Sequence, residues 1–180
     1  MRIMKIKRAI ALVVLLAAAG LTGLGYVNNQ PSPESIAFAQ TTSDLMLNEL
    51  KAALFQEFNE TTRENTEHGK QAISLIFNDA NRDMRLIGNF APLHGGYNDL
   101  PADSFERRAL NSAMRGENIN SVERADGRWY YRSSLALSNT FHTACVLCHT
   151  NFTPQFFQQT NNPGQWVGAL TLRVPIKNEN

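Results

Sequence analysis

Cysteine is scarce in this 180-residue chain, which contains only two, and both lie within one five-residue run. No second cysteine pair is present to complete a four-ligand zinc site. An excess of one charge is also missing, because 17 basic residues against 16 acidic ones leave a net charge of +1. A balanced chain has no strong field that would attract nucleic acid, so we expect no nucleic-acid partner.

Long hydrophobic runs are absent except at the N-terminus, and no internal repeat is present. The one apolar run, Ala9–Leu24, carries no charge and follows a basic stretch with Arg2, Lys5, Lys7 and Arg8. This arrangement is typical of an export signal. The run is shorter than the roughly 20 residues that comfortably span a bilayer, which favours cleavage over retention.

The small-x-small sequence Ala37-Phe38-Ala39 is a candidate cleavage site, although it lies well downstream of the apolar run. An uncleaved N-terminal membrane anchor is the alternative. We therefore predict a signal peptide or anchor plus linker over residues 1–39 and one domain over residues 40–180. In either case the domain is expected outside the cytoplasm, in the periplasm or a thylakoid lumen.

Both cysteines belong to Cys145-Val146-Leu147-Cys148-His149, which has the spacing for covalent attachment of a c-type haem. Two thiols three positions apart can reach the two vinyl groups of the porphyrin, and the next imidazole can bind the iron. We predict Cys145 and Cys148 as the thioether anchors of one haem c, and His149 as the proximal iron ligand. Bacteria attach haem c outside the cytoplasmic membrane, so the motif and the export signal agree.

Two other interpretations of the motif have less support in the sequence. A redox dithiol of the thioredoxin type usually follows a strand in a βαβ unit, and no such pattern precedes Cys145. A zinc site would need further ligands, and the remaining histidines are scattered along the chain at His68, His94 and His142. Haem attachment is therefore the favoured interpretation.

Apolar periodicity predicts helices in the first half of the domain. Ser43–Asn59 has apolar residues at helical spacing, and Thr61-x-x-Glu64 resembles a capping box that begins a second helix. The apolar stripe of this second helix extends to Met84. After an aperiodic, glycine-containing loop over Gly88–Leu100, the residues from Asp103 to Gly116 predict a third helix.

Beyond Gly116 the period changes from about four to two, which indicates strands. Asn120–Arg124 and Arg128–Leu137 flank Asp126-Gly127, a dipeptide that favours a tight hairpin turn. Trp166–Ile176 alternates bulky apolar residues with small or polar ones and predicts a further strand. We predict an α+β fold in which long N-terminal helices lie on one side of a small antiparallel sheet, with the haem between that sheet and the cysteine motif.

Four stretches, in this order, resemble a known family: Asp103–Leu110, Trp129–Arg132, Cys145–His149 and Trp166–Pro175. The chain resembles the exported monohaem domains with a PAS-like fold, catalogued as a domain of unknown function. That family includes free-standing cyanobacterial-type cytochromes and sensory domains of bacterial signalling proteins. The resemblance implies a PAS-like sheet and a haem c bound through His149.

In some members of that family a cysteine from an N-terminal helix is the distal ligand. That ligand does not carry over, because the porphyrin uses both cysteines of this chain. Met84 could supply a thioether, which would raise the reduction potential, and His68 or His94 could supply an imidazole. An open iron that binds small gases is the remaining alternative.

The predicted function is electron transfer by an exported monohaem protein, with an unidentified redox protein as partner. Redox or small-gas sensing through a separate signalling partner is the alternative. We do not expect an enzyme, because a peroxidase-like site needs a distal acid or base that the sequence does not nominate. Any contact with a membrane would be through an uncleaved N-terminal anchor.

Overall fold

The helices and strands are taken from a computed structural model, which describes residues 30–62, 64–77, 82–88, 98–152 and 166–177, with the backbone alone over 148–152. In chain order they are α1 (Pro33–Phe58), α2 (Thr66–Ile76), β1 (Met84–Ile87), α3 (Ser104–Ala113), β2 (Asn120–Ala125), β3 (Arg128–Ser138), α4 (Thr143–Phe152) and β4 (Trp166–Pro175). The fold is α+β, as predicted. No helix within the described residues is long and apolar enough to cross a membrane.

The four strands form one antiparallel sheet in the order β1-β4-β3-β2. Strands β2 and β3 are the predicted hairpin, and Asp126 and Gly127 at its turn have φ angles of 51° and 76°. Paired positive φ angles match the right-handed twist of the flanking strands. The predicted C-terminal strand is confirmed as β4, which lies between β1 and β3.

Helices cover both faces of the sheet. Helices α1, α2 and α4 contribute to one apolar core together with alternate residues of β4, such as Leu170 and Leu172. On the other face Phe105 and Ala109 of α3 pack against Ala169 of β4. The long N-terminal helices therefore share one side, as predicted, while α3 covers the opposite side.

Helix α1 begins at Pro33, ten residues before the predicted start. The Ser32 hydroxyl accepts a 3.1 Å hydrogen bond from the Ser35 N–H, and proline is favoured in a first helical turn. This serine-proline start lies within residues 1–39, which we predicted as a signal peptide or anchor plus linker. Ala39, the last residue before the predicted domain boundary, is buried within α1 and only 1% exposed.

The predicted second helix was wrong at both ends. Helix α2 begins at Thr66 rather than at Thr61-x-x-Glu64, and it ends at Ile76 because Phe77 is extended. Met84 is not on a helix; it is the first residue of β1 and pairs with Leu172 of β4. Pairing with β4 supplies hydrogen bonds that override the helical spacing of Met84.

Candidate functional site

The predicted haem-attachment motif lies on helix α4. Its positions 145, 148 and 149 are separated by three and four residues, and such positions share one face of an α-helix. The helical backbone therefore places positions 145, 148 and 149 on one side of α4. Cys145, whose side chain is described, is half-buried and contacts the core on the α1 side of the sheet.

His142 fixes the N-terminal end of α4. Its Nδ1 accepts a 3.0 Å hydrogen bond from the Ala144 N–H, and its Nε2 lies 3.1 Å from Asn59 Oδ1 at the end of α1. Because Nδ1 is an acceptor, Nε2 carries the proton and donates to Asn59. Burial lowers the pKa of His142, which agrees with a neutral ring.

Aromatic contacts hold the same junction between α1 and α4. The His142 ring lies edge-on to Phe55 at a centroid distance of 4.9 Å, and Phe141 lies 5.9 Å from Phe55. Phe58 is within 6.3 Å of Phe141. The end of α1 thus positions the start of the cysteine-containing helix.

Cys145 lines an apolar cavity between the sheet and the three helices on that face. Its volume is about 70 Å³. The walls come from six elements, α1, α2, α4, β1, β3 and β4, with lining residues that include Leu54, Phe58, Ile73, Leu86, Leu137 and Val167. Sites for small molecules and cofactors are typically concave, mostly apolar and of about 300–1,000 Å³, so this cavity shares their apolar character but is smaller.

The residue types that line this cavity suit a covalently attached haem, whose macrocycle would extend beyond the cavity itself. The macrocycle is flat and apolar, which matches a wall of aliphatic and aromatic side chains. Cys145 on the wall can form a thioether, and the motif places a second cysteine and a histidine within the next turn of α4. His149 would then hold the iron, and the bound haem would supply one-electron redox chemistry.

Asp99 introduces a carboxyl group into this otherwise apolar wall. The residue is 4% exposed, and its Oδ1 has no hydrogen-bond partner among the described residues. Desolvation raises the pKa of Asp99 from 3.8 to about 6, while its own backbone N–H and the charge of Arg85 act in the opposite direction. The carboxyl is therefore poised to change its protonation near neutral pH.

Arg85 holds the short segment that carries Asp99. Its Nη2 donates to the carbonyl oxygens of Asn98 and Leu100, each at 2.8 Å. Its Nε lies 3.0 Å from Glu106 Oε1 in a buried ion pair with α3. The Gly88 N–H donates to the Asp99 carbonyl oxygen at 2.8 Å. The backbone on both sides of Asp99 is thus fixed.

The predicted distal ligands are dispersed. Met84 is half-buried at the start of β1 and does not belong to the described lining of the cavity. His68 on α2 has its Nε2 3.6 Å from Glu60 and 3.9 Å from Glu57, and it is likewise absent from that lining. His94 lies outside the described residues. The geometry brings Cys145 to the cavity and leaves Met84 and His68 away from the described wall.

Two residues of this site were not predicted from the sequence as contributors. No sequence pattern marked His142 as a helix cap, yet its ring caps α4. Asp99 lies in the aperiodic segment predicted as a loop, where no spacing rule distinguishes a buried carboxyl from an exposed one. Its signal is tertiary, since Arg85 on a separate strand binds the carbonyl oxygens beside it.

Comparison with known proteins does not place the chain in a family. No protein-family model matches it, and no curated protein gives a significant match.

Proposed function

We propose that this protein is an exported monohaem c-type protein with a PAS-like fold that transfers electrons to or from a protein partner. The observation that carries the proposal is the position of Cys145, which combines the haem-attachment spacing with the wall of an apolar cavity. The mixed helical and antiparallel architecture is compatible with the PAS-like fold. The basic and apolar N-terminal sequence supports export.

Small-gas or redox sensing is the second candidate. The described wall of the cavity offers a carboxyl group, Asp99, rather than a thioether or an imidazole. A carboxyl group is a weak competitor for haem iron, so this wall favours an iron that can accept a diatomic ligand. The carrier function instead requires a distal ligand such as Met84, His68 or His94.

Haem attachment is tested by producing the full chain in a host with the haem c maturation machinery. We expect a covalent haem that survives denaturation, stains on a denaturing gel and adds the mass of one tetrapyrrole. Cys145→Ser combined with Cys148→Ser should remove it. A colourless wild-type protein with no added mass would refute the proposal.

The role of His149 is tested against a matched histidine on the same helix junction. His149→Ala should change the absorption spectrum of the attached haem, because the proximal ligand is lost. His142→Ala removes an imidazole that caps α4, and we expect the iron spectrum to keep its wild-type form. Equal spectral changes in the two variants would contradict the assignment of His149.

Carbon monoxide separates the two candidate functions. A reduced spectrum that carbon monoxide leaves unchanged would favour the carrier, since both axial positions are then filled. Ready binding would favour the sensor. For Met84, the comparison is between wild type and Met84→Leu: loss of a near-infrared iron–sulfur band in the variant would assign the thioether, and an unchanged spectrum would eliminate it.

A further inference from the structure

The side of α1 that faces away from the core carries exposed apolar side chains. Seven large apolar side chains are exposed among the described residues, and four of them belong to this helix: Phe38, Leu45, Met46 and Phe55. Phe38 is 70% exposed and Leu45 is 63% exposed, while Leu54 of the same helix is fully buried in the core. Single exposed apolar residues are common, whereas a group of them on one element marks an interaction surface.

Most of these residues follow the spacing of a coiled-coil seam. Steps of three and four residues connect six exposed positions of α1: Phe38, Thr41, Leu45, Asn48, Ala52 and Phe55. These six residues are called the α1 stripe below. A repeat of three and four residues keeps side chains on one face of a helix, here over a length of about 26 Å. A second helix can pack along a stripe of this kind.

We propose that two copies of this chain associate through the α1 stripe, with the two helices antiparallel. Phe38 of one copy then packs on the partner's Phe55, and Leu45 packs beside the partner's Asn48. The same surface is used by both copies, so the contact closes at two copies and leaves no stripe exposed for a third. Thr41 and Asn48 are polar, and polar residues in a seam restrict the register while weakening the contact.

The charges beside the α1 stripe decide the direction of the helices. Asp44 and Lys51 are exposed on one flank and Glu49 is exposed on the other, and none of them forms an ion pair with a described residue. In an antiparallel pair like flanks meet, so Asp44 faces the partner's Lys51 twice across the two-fold axis. In a parallel pair opposite flanks meet, and Asp44 would face the partner's Glu49. Charge complementarity therefore favours the antiparallel pair.

Charge also disfavours a membrane surface as the occupant of the α1 stripe. Helix α1 contains one basic residue, Lys51, and four acidic residues, Glu34, Asp44, Glu49 and Glu57. Helices that lie on anionic lipid are typically rich in lysine and arginine on their polar face. A second copy of the chain instead supplies one lysine for each Asp44, so it matches both the apolar stripe and its flank.

The oligomeric state of the purified full chain tests the proposal, and the measurement does not require haem. In sedimentation velocity from about 1 μM to about 1 mM, we expect wild type to pass from one copy to two as the concentration rises. Phe38→Asp combined with Leu45→Asp should stay monomeric and keep the wild-type circular dichroism spectrum, because both side chains are exposed. Leu75→Asp is the matched control, since Leu75 is 82% exposed but lies on α2, and it should dimerise like wild type.

Charge reversal tests the direction. Asp44→Lys brings two cations together twice in the antiparallel pair, so the dissociation constant should rise about tenfold. Adding Lys51→Asp restores opposite charges and should return the constant to near its wild-type value. In a parallel pair Asp44→Lys would face Glu49 and tighten the dimer, which would overturn the antiparallel arrangement.

Three further results would overturn the proposal as a whole. The first is a wild type that remains monomeric over the whole concentration range. The second is a Leu75→Asp variant that loses the dimer as completely as the variant with both stripe substitutions. The third is a monomeric wild type that binds phosphatidylglycerol vesicles through the α1 stripe, which would identify a membrane surface as the occupant.

Discussion

The buried ion pair between Arg85 and Glu106 gives the strongest prediction for stability. Glu106 Oε2 also accepts a 2.7 Å hydrogen bond from the Ala102 N–H, and Oε1 lies 3.4 Å from the Thr171 hydroxyl. Glu106→Gln keeps the shape of the side chain but removes its charge. Arg85, which is 5% exposed, would then be a buried cation without its counter-ion.

The expected loss in the free energy of unfolding follows from the burial of both Arg85 and Glu106. Removing one member of a buried ion pair typically costs 3–5 kcal/mol, because the remaining charge is uncompensated. Arg85 would retain the carbonyl oxygens of Asn98 and Leu100 as acceptors, so we expect the lower end, about 3 kcal/mol. Combining Glu106→Gln with Arg85→Met removes both charges and should recover part of the loss. Recovery stays incomplete because the two carbonyl oxygens lose their donor.

The assay is urea-induced unfolding of the purified protein, with the free energy of unfolding compared at one pH for all variants. Glu117→Gln is the matched control, since it neutralises a carboxylate in an exposed pair with Arg115 and should leave the unfolding midpoint unchanged. A loss below about 1 kcal/mol in Glu106→Gln would refute the reasoning, because it would mean that Arg85 does not depend on this carboxylate.

Two further predictions concern the helix junction and the sheet. His142→Ala should lower the free energy of unfolding by about 1 kcal/mol at pH 7.5, because it removes the cap of α4. Folding lowers the pKa of His142, so this difference from wild type should shrink as the pH falls below 6.5. Urea unfolding at a series of pH values measures the difference. Gly168→Ala should lower stability by about 2 kcal/mol in thermal unfolding, because the new Cβ would overlap the carbonyl oxygen of Ile87. Gly127→Ala, in open space at a φ of 76°, should lose only about 1 kcal/mol. A pH-independent His142→Ala difference, or a Gly168→Ala loss no larger than that of Gly127→Ala, would contradict these expectations.

Local chemistry accounts for the parts of the fold that the sequence predicted well. Asp103 was expected to cap a helix, and its carboxylate accepts a 2.9 Å hydrogen bond from the Glu106 N–H. The Asp126-Gly127 turn and the alternation in β4 were equally local signals. Strand β1 was missed because its four residues form a strand only through pairing with β4, which is distant in sequence. Long-range pairing leaves no spacing pattern in so short a segment.

The candidate site, like the fold, could be predicted from the sequence only in part. The haem-attachment spacing of Cys145, Cys148 and His149 is contained in five consecutive residues, so it could be recognised directly. The cavity could not be recognised from the sequence, since its walls come from α1, α2, α4 and the sheet. Asp99 depends on Arg85, a residue on another element, and burial decides its pKa. Properties that depend on assembled elements required the structure.

The strand order has a consequence for how the chain matures. Among the described strands, β1 hydrogen-bonds to β4 alone, and β4 follows the other three in the sequence. The sheet therefore cannot close until β4 is available to pair with β1, and contacts so distant in sequence form slowly. During that interval the cavity that Cys145 lines lacks the part of its wall that Val167 and Gly168 supply. Under the proposed function, this delay gives a modifying enzyme time to join the tetrapyrrole to the polypeptide before folding encloses it.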